Sequence, residues 1–491
     1  MCLPIFAPKA HAEVEPRATS SCQQLLTRYP KSIALPNSTV YQEEKIEYWD
    51  LASVLSPSCI FTPTTPEDVA GGLKIIDRSG TPFAIRSGGH TPIAGASGTN
   101  GGVLIASDRL RNMELRTFEG QQVVRVGPGL RWIEVYEWLA NQGLTVIGGR
   151  YASVGVGGFS LGGGMNYYRS IRGWAADLIL NYELVDGRGN ILQANKASNS
   201  KLFWALKGGS GNFGFVTRFD CAVFPLIEIY GGNLLTNANG TNALVEASAS
   251  YADPIHGGSL DPLSAVNPTV QLALDTRQRS SFTNIFYNAS VHATPAALEN
   301  FTSIPVNAPS TVAGPRTFIG FMNETAAFPN DQRRLFRATS IKMSPQAVKL
   351  AQRVFDTEAS KLRSVVNGSV TITYQYMSQA CVDAAHANSN AIDLKPTDGP
   401  LIAILTAAAW STASDDDYML DFLTLLVNSI DSASKAAGLY YRYIFLNDAG
   451  KGQSPFPTYG QGRSLPVMQA IAKRYDPRGI FQRLASGAFK M

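Results

Sequence analysis

The stretch AIRSGGHTPIAGAS, Ala84 to Ser97, runs an apolar strand straight into a Gly-Gly pair followed by a histidine. The whole chain has only five histidines. Consecutive glycines let backbone N–H groups converge, and they let main chain touch a flat or charged ligand with no Cβ in the way. His90, directly after Gly88 and Gly89, is therefore expected at a ligand. Two more clusters repeat the pattern: VGVGGFSLGGGMN from Val154 to Asn166, and WALKGGSGNFGFVT from Trp204 to Thr217. Three such clusters in one region imply a large anionic ligand touched from several sides.

Two common phosphate sites are excluded. A Rossmann fingerprint needs GxGxxG between a strand and a helix, with an acid about 20 residues on. GGFSLGGG has neither that spacing nor a clear strand before it. No GK[ST] occurs, so there is no Walker loop.

The chain has 491 residues, 45% of them hydrophobic, which supports a large core and two domains or more. Charged residues are only 16% and the net charge is +4, with no basic stripe, so nucleic acid is not an expected partner. No apolar run reaches the roughly 18–20 residues of a membrane helix. The opening MCLPIFAPKAHAEVEPRATSS is broken by Pro4, Pro8 and Lys9 and does not read as a signal peptide. Cysteines stand at 2, 22, 59, 221 and 381, none spaced for a CxxC metal or redox motif, and no metal site is expected. Cys221 and Cys381 read as buried thiols, while Cys22 and Cys59 flank the start of the folded region. Sequons at Asn37, Asn239, Asn288, Asn300, Asn323 and Asn367 lean toward the secretory pathway, with a cytoplasmic home as the alternative.

Residues 60–224 alternate short strands with a few helices. TPFAIRS, GGVLIAS and QQVVRVGPG are strand-like, and LRWIEVYEWLANQG has Leu130, Ile133, Tyr136 and Leu139 at helical spacing. LILNYELVDGRGNILQAN reads as a hairpin around Asp186–Gly189, and FGFVTRFDCAVFPL as a buried strand. From about 226 to 435 the chain is richer in Ser, Thr and Ala. It holds two long helices, in SPQAVKLAQRVFDTEASKLRSVV and YMLDFLTLLVNSIDSASKAAG. A last helix, LPVMQAIAKRYDP, lies near the C-terminus.

RSGGH, GGVLI, VGVGGFSLGGG, DLILNYELVDGRG, LFWALKGGSGNFGFVTRF and YDPRGIFQ, in that order, resemble the berberine-bridge-enzyme-like FAD-linked oxidases. These belong to the vanillyl-alcohol-oxidase and p-cresol-methylhydroxylase (PCMH) flavoprotein superfamily, and the look is that of fungal members. The resemblance implies an α+β, two-domain fold: a PCMH-type FAD-binding domain at 56–225 and a separate α+β substrate domain at 226–435. A segment at 1–55 would precede them, and 436–491 would return to the FAD domain. It also implies a Cys22–Cys59 disulfide.

In the family, the histidine after Gly-Gly bonds covalently to the flavin; His90 holds that position. Arg86, Ser87, Gly88 and Gly89 would bind FAD, as would Gly155, Gly157, Gly158, Gly162, Gly163 and Gly164 of the second cluster. Many members add a second link through cysteine. Tyr151 stands there, so a single link is expected. Val154 matches the position beside the flavin that admits dioxygen. A Y-x-N-Y stretch of the family becomes Phe445-Leu446-Asn447-Asp448 here, which makes Asn447 a cofactor contact and Asp448 the candidate base. Tyr374 and Tyr376, alternating along a strand, are further catalytic candidates. The implied activity is hydride transfer from a small secondary metabolite to FAD and then to O2, giving H2O2. The alternatives are an oligosaccharide oxidase and a flavoprotein cyclising its substrate without net redox.

Overall fold

The computed structural model describes residues 20–306, 310–325 and 330–491. Cys2 and most of the opening stretch lie outside the described residues. The described residues build three sheets. The first has four strands in the order Ile33–Ala34, Cys59–Phe61, Val103–Ala106, Phe83–Arg86. Cys59–Phe61 and Phe83–Arg86 both run parallel to Val103–Ala106. A parallel pair needs a crossover, and the helix Pro66–Ser79 supplies it. Thr65 and Asp68 close a capping box at its start, and Val69, Leu73 and Ile76 bury one face.

The second sheet is antiparallel, in the order Met113–Phe118, Gln121–Val126, Phe215–Pro225, Ile179–Val185, Ile191–Asn195. The hairpin around Asp186–Gly189 is present as expected, with Val185 opposite Ile191. The helix Trp132–Ala140 packs its Trp132, Val135, Tyr136 and Leu139 into the core beneath this sheet.

The third sheet has eight antiparallel strands, beginning with Ala313–Arg316 and Ile229–Thr236 at one edge. At its centre Ser264–Ala273, Ser369–Met377, Leu401–Trp410 and Arg333–Lys342 lie side by side. Helices Ala238–Tyr251, Pro345–Ser360 and Asp416–Ala436 cover one face, burying Val270, Ile372, Tyr374, Ile402 and Ile404 against Val348, Phe355 and Leu423. Sheet alternation turns Thr269, Thr371, Thr373, Leu405 and Ala407 to the opposite face, which lines a cavity. Tyr440–Tyr441 still pairs with this sheet.

Both ends of the described residues are built into the lobe that the first two sheets form. Ile33–Ala34 joins its first sheet, and a disulfide links Cys22 to Cys59. Residues 20–55 are thus part of that lobe, not an appendage. The helix Ser464–Tyr475 returns to the core, and Phe481 packs edge-on against Phe83.

Candidate active site

One cavity of about 980 Å³ lies between the glycine loops and the open face of the eight-stranded sheet. The first two glycine clusters meet at its wall. A Cβ on Gly155 would sit 2.3 Å from the Gly88 nitrogen, and one on Gly88 would sit 2.4 Å from the Gly155 nitrogen. Only two glycines allow backbones so close. Ser87 ties the loops further: its Oγ donates to Pro128 O at 2.6 Å and accepts from Gly157 N at 3.1 Å. Ser87, Gly88, Gly89, His90, Tyr151, Val154, Gly155, Gly157 and Gly158 all line the cavity. The third cluster joins them through Ser210, Gly211, Asn212 and Gly214.

His90 is held on two sides. Its ring stacks on Trp49, and its Nε2 lies 3.2 Å from Ser153 Oγ. Burial and the neighbouring Arg131 and Arg334 guanidiniums bring its pKa down to about 3. The imidazole is neutral at any ordinary pH. Arg131 also braces the loops, donating to Gly88 O at 2.9 Å and Ser153 O at 2.6 Å.

Asp448 faces the same cavity from the C-terminal segment and is 7% exposed. Burial raises its carboxyl above the usual range; Arg150 and the Gln375 hydrogen bond partly oppose this. Asn447 lines the cavity too. It accepts from Gly164 N at 3.1 Å and donates to Phe159 O at 3.3 Å, locking this segment to the second glycine cluster. Burial also raises the Tyr151 phenol, so Tyr151 is neutral.

Several expectations need correcting. Arg86 does not reach the cavity. On the strand Phe83–Arg86, Ile85 turns inward and Arg86 turns to the other face. There it is fully buried and pairs with Glu44 and, at 2.9 Å, with Asp108. Gly162, Gly163 and Gly164 face protein rather than open space: a Cβ on them would meet Asn447, Ile392, and Phe159 with Ala175. They make the turn behind the loop, two of them at φ +106 and +78. Tyr374 and Tyr376 point under the helices. Their hydroxyls bond Gln352 Oε1 at 3.0 Å and Ser248 O at 2.9 Å. The strand's period of two puts Gln375, not its flanking tyrosines, in the cavity.

Sequence reasoning missed Trp49, Arg150, Asn267, Arg334 and Gln375, all of which line the cavity. Only Gln375 left a trace, as the polar residue between two tyrosines. Arg150 directly precedes Tyr151 but carries no pattern, and Trp49 arrives from a distant segment.

The residues fit FAD. A Cβ on Gly158 or Gly211 would find no protein atom within 4 Å, so both leave open space in the cavity wall. Converging loop backbone suits a pyrophosphate, and the neutral His90 ring stands on the same wall. Fold and site together define a two-lobed flavin-dependent oxidoreductase. Comparison with known proteins agrees. Residues 57–195 match the FAD binding domain family. The chain is 38% identical over 490 residues to the FAD-dependent monooxygenase prx3 of Penicillium roqueforti, covering 98% of this chain and 95% of that one. It is 32% identical over 437 residues to the bifunctional solanapyrone synthase of Alternaria solani, covering 89% and 82%. Among solved structures, glucooligosaccharide oxidase from Acremonium strictum, described with a 6-S-cysteinyl, 8α-N1-histidyl FAD, superposes with a TM-score of 0.76 at 18% identity over 95% and 99% of the chains. The chain belongs to the family of FAD-dependent oxidoreductases that includes prx3, and it shares the fold of berberine bridge enzyme.

Proposed function

We propose that the chain carries FAD through one covalent bond from His90 and oxidises a small, neutral secondary metabolite, with Asp448 taking the substrate proton. The observation that carries this reading is the placement of a neutral His90 and a buried Asp448 on one cavity. Bound there, FAD supplies a two-electron acceptor that passes its electrons to dioxygen, giving hydrogen peroxide. His90 would hold the cofactor by Nδ1, since Nε2 faces Ser153. Ser87, Gly88, Gly89, Gly155, Gly157 and Gly158 would cradle it, and Val154 would leave room for dioxygen. Tyr151 cannot form the thioether that a second link requires. Asp448 would accept a proton from a substrate hydroxyl, and burial raises its basicity toward that task.

The sheet face favours a neutral, oxygen-bearing ligand. Its strands present Asn267, Thr269, Thr371, Thr373, Leu405 and Ala407, together with the rings of Phe282 and Phe336. The disulfide Cys22–Cys59 and exposed sequon asparagines such as Asn37, Asn239 and Asn300 support an oxidising, secretory compartment.

The test is anaerobic mixing with benzylic and allylic alcohols and with xylobiose, watching the flavin colour. Bleaching by an alcohol, followed by peroxide release on admitting oxygen, is the expected result. Bleaching by xylobiose alone would favour the sugar oxidase. The names of the relatives favour a second reading, monooxygenation. Under labelled dioxygen, label in the product rather than in peroxide would establish it. A substrate converted with no bleaching at all would favour cyclisation without net redox.

A further inference from the structure

We infer that Gln375 is a positioning residue whose side-chain amide, held one way round by Arg150, keeps Asp448 turned toward the cavity as a proton acceptor. This rests on the reading of Asp448 as the base. The argument is one of donors and acceptors. A guanidinium can only donate. Arg150 donates through Nη1 to Asn267 Oδ1 at 2.8 Å and through Nη2 to Gln375 Oε1. A carboxamide whose oxygen faces a guanidinium must point its NH2 group the other way. That NH2 meets Asp448 Oδ2. It can only donate, so Oδ2 is fixed as an acceptor and Oδ1 is the oxygen left for a substrate proton.

The same level of the sheet is pinned from elsewhere in the fold. Arg169 is 1% exposed and donates to Tyr376 O at 2.7 Å, Val266 O at 3.4 Å and Asn166 O at 2.9 Å. Tyr376 and Val266 are the chain neighbours of Gln375 and Asn267. The two amides that hold Arg150 therefore sit on strands whose backbone Arg169 ties to the second glycine cluster. Around Asp448 the other titratable groups are Arg150, Tyr151 and Tyr443. Burial raises both phenols, so neither changes charge on the acid side, where the carboxyl titrates.

The test is infrared difference titration of the FAD-loaded protein, following the C=O stretch of the protonated carboxyl. The Asp448 band is identified as the one lost in Asp448→Asn. Gln375→Leu, which removes the donor, is expected to move its midpoint up by about one pH unit, a tenfold change in proton affinity. Gln375→Glu is expected to move it further, because two carboxyls then share a proton. The Glu variant is isosteric and carries the test if the Leu variant fails to keep flavin. A midpoint unmoved in the flavin-loaded variants overturns the role of Gln375. So does an equal shift in Tyr374→Phe, whose ring lies on the helix-covered face. Wild-type flavin reduction in Asp448→Asn would instead overturn the base itself.

Discussion

The imidazole of His90 lies parallel to the indole of Trp49, ring centroids 4.3 Å apart and planes 13° apart. Arg334 sits over the same indole at 4.4 Å. The stack fixes the ring plane, and Ser153 marks which nitrogen faces away from the proposed bond. Denatured wild type is expected to weigh one FAD more than the chain, and His90→Ala to release all its flavin on acid precipitation. A flavopeptide containing both His90 and Tyr151 in mass spectrometry would disprove a single attachment.

The Gly88–Gly155 contact separates fold from cofactor. Gly155→Ala must push two backbones apart and is expected to cost about 1–3 kcal/mol. Gly158→Ala meets no protein atom within 4 Å. Its melting temperature without flavin should match wild type, while its flavin content falls. Thermal melts and the ratio of flavin to protein absorbance check both.

Asp448 sets the pH dependence. Its carboxyl is raised above the ordinary value near 4 by burial. The base works when ionised, so flavin reduction should fall as pH drops through a midpoint above 4. Asp448→Asn should slow reduction about 10²–10⁴-fold in anaerobic stopped-flow with a compound that bleaches wild type. Stability carries the opposite sign. A raised native pKa gives stability that is present below the unfolded value and lost as pH rises through the native one. Asp448→Asn should therefore melt higher than wild type at neutral pH. A lower melting point there would contradict the burial argument.

Tyr374 offers a contrast. Tyr374→Phe loses the bond to Gln352 and should cost about 1 kcal/mol of stability by denaturant titration. The rate of flavin reduction should stay at the wild-type value.

The Cys22–Cys59 bond closes a loop of 37 residues. Replacing both by serine should cost about 2–4 kcal/mol in unfolding free energy. Non-reducing peptide mapping should recover the two cysteines in one linked pair.

Local rules made much of this legible. Glycine clusters announce where backbone must come close, a β-rich run around Asp-Gly-Arg-Gly announces a hairpin, and the spacing of Tyr136 and Leu139 announces a buried helix face. Those signals sit within a few residues of one another, so chain order is enough to read them. The choice between two faces is different. Alternation says that Arg86 and Ile85, or Tyr374 and Gln375, point opposite ways, but not which way is the cavity. For Tyr374 and Gln375 that was decided by where the helices Pro345–Ser360 and Asp416–Ala436 pack, because they cover the face that holds Tyr374 and Tyr376 and leave the other face open. The same holds for Trp49, Arg150 and Arg334, which reach His90 and Asp448 from segments far apart in the chain. Their role comes from distance in space, and only the packed fold brings them together.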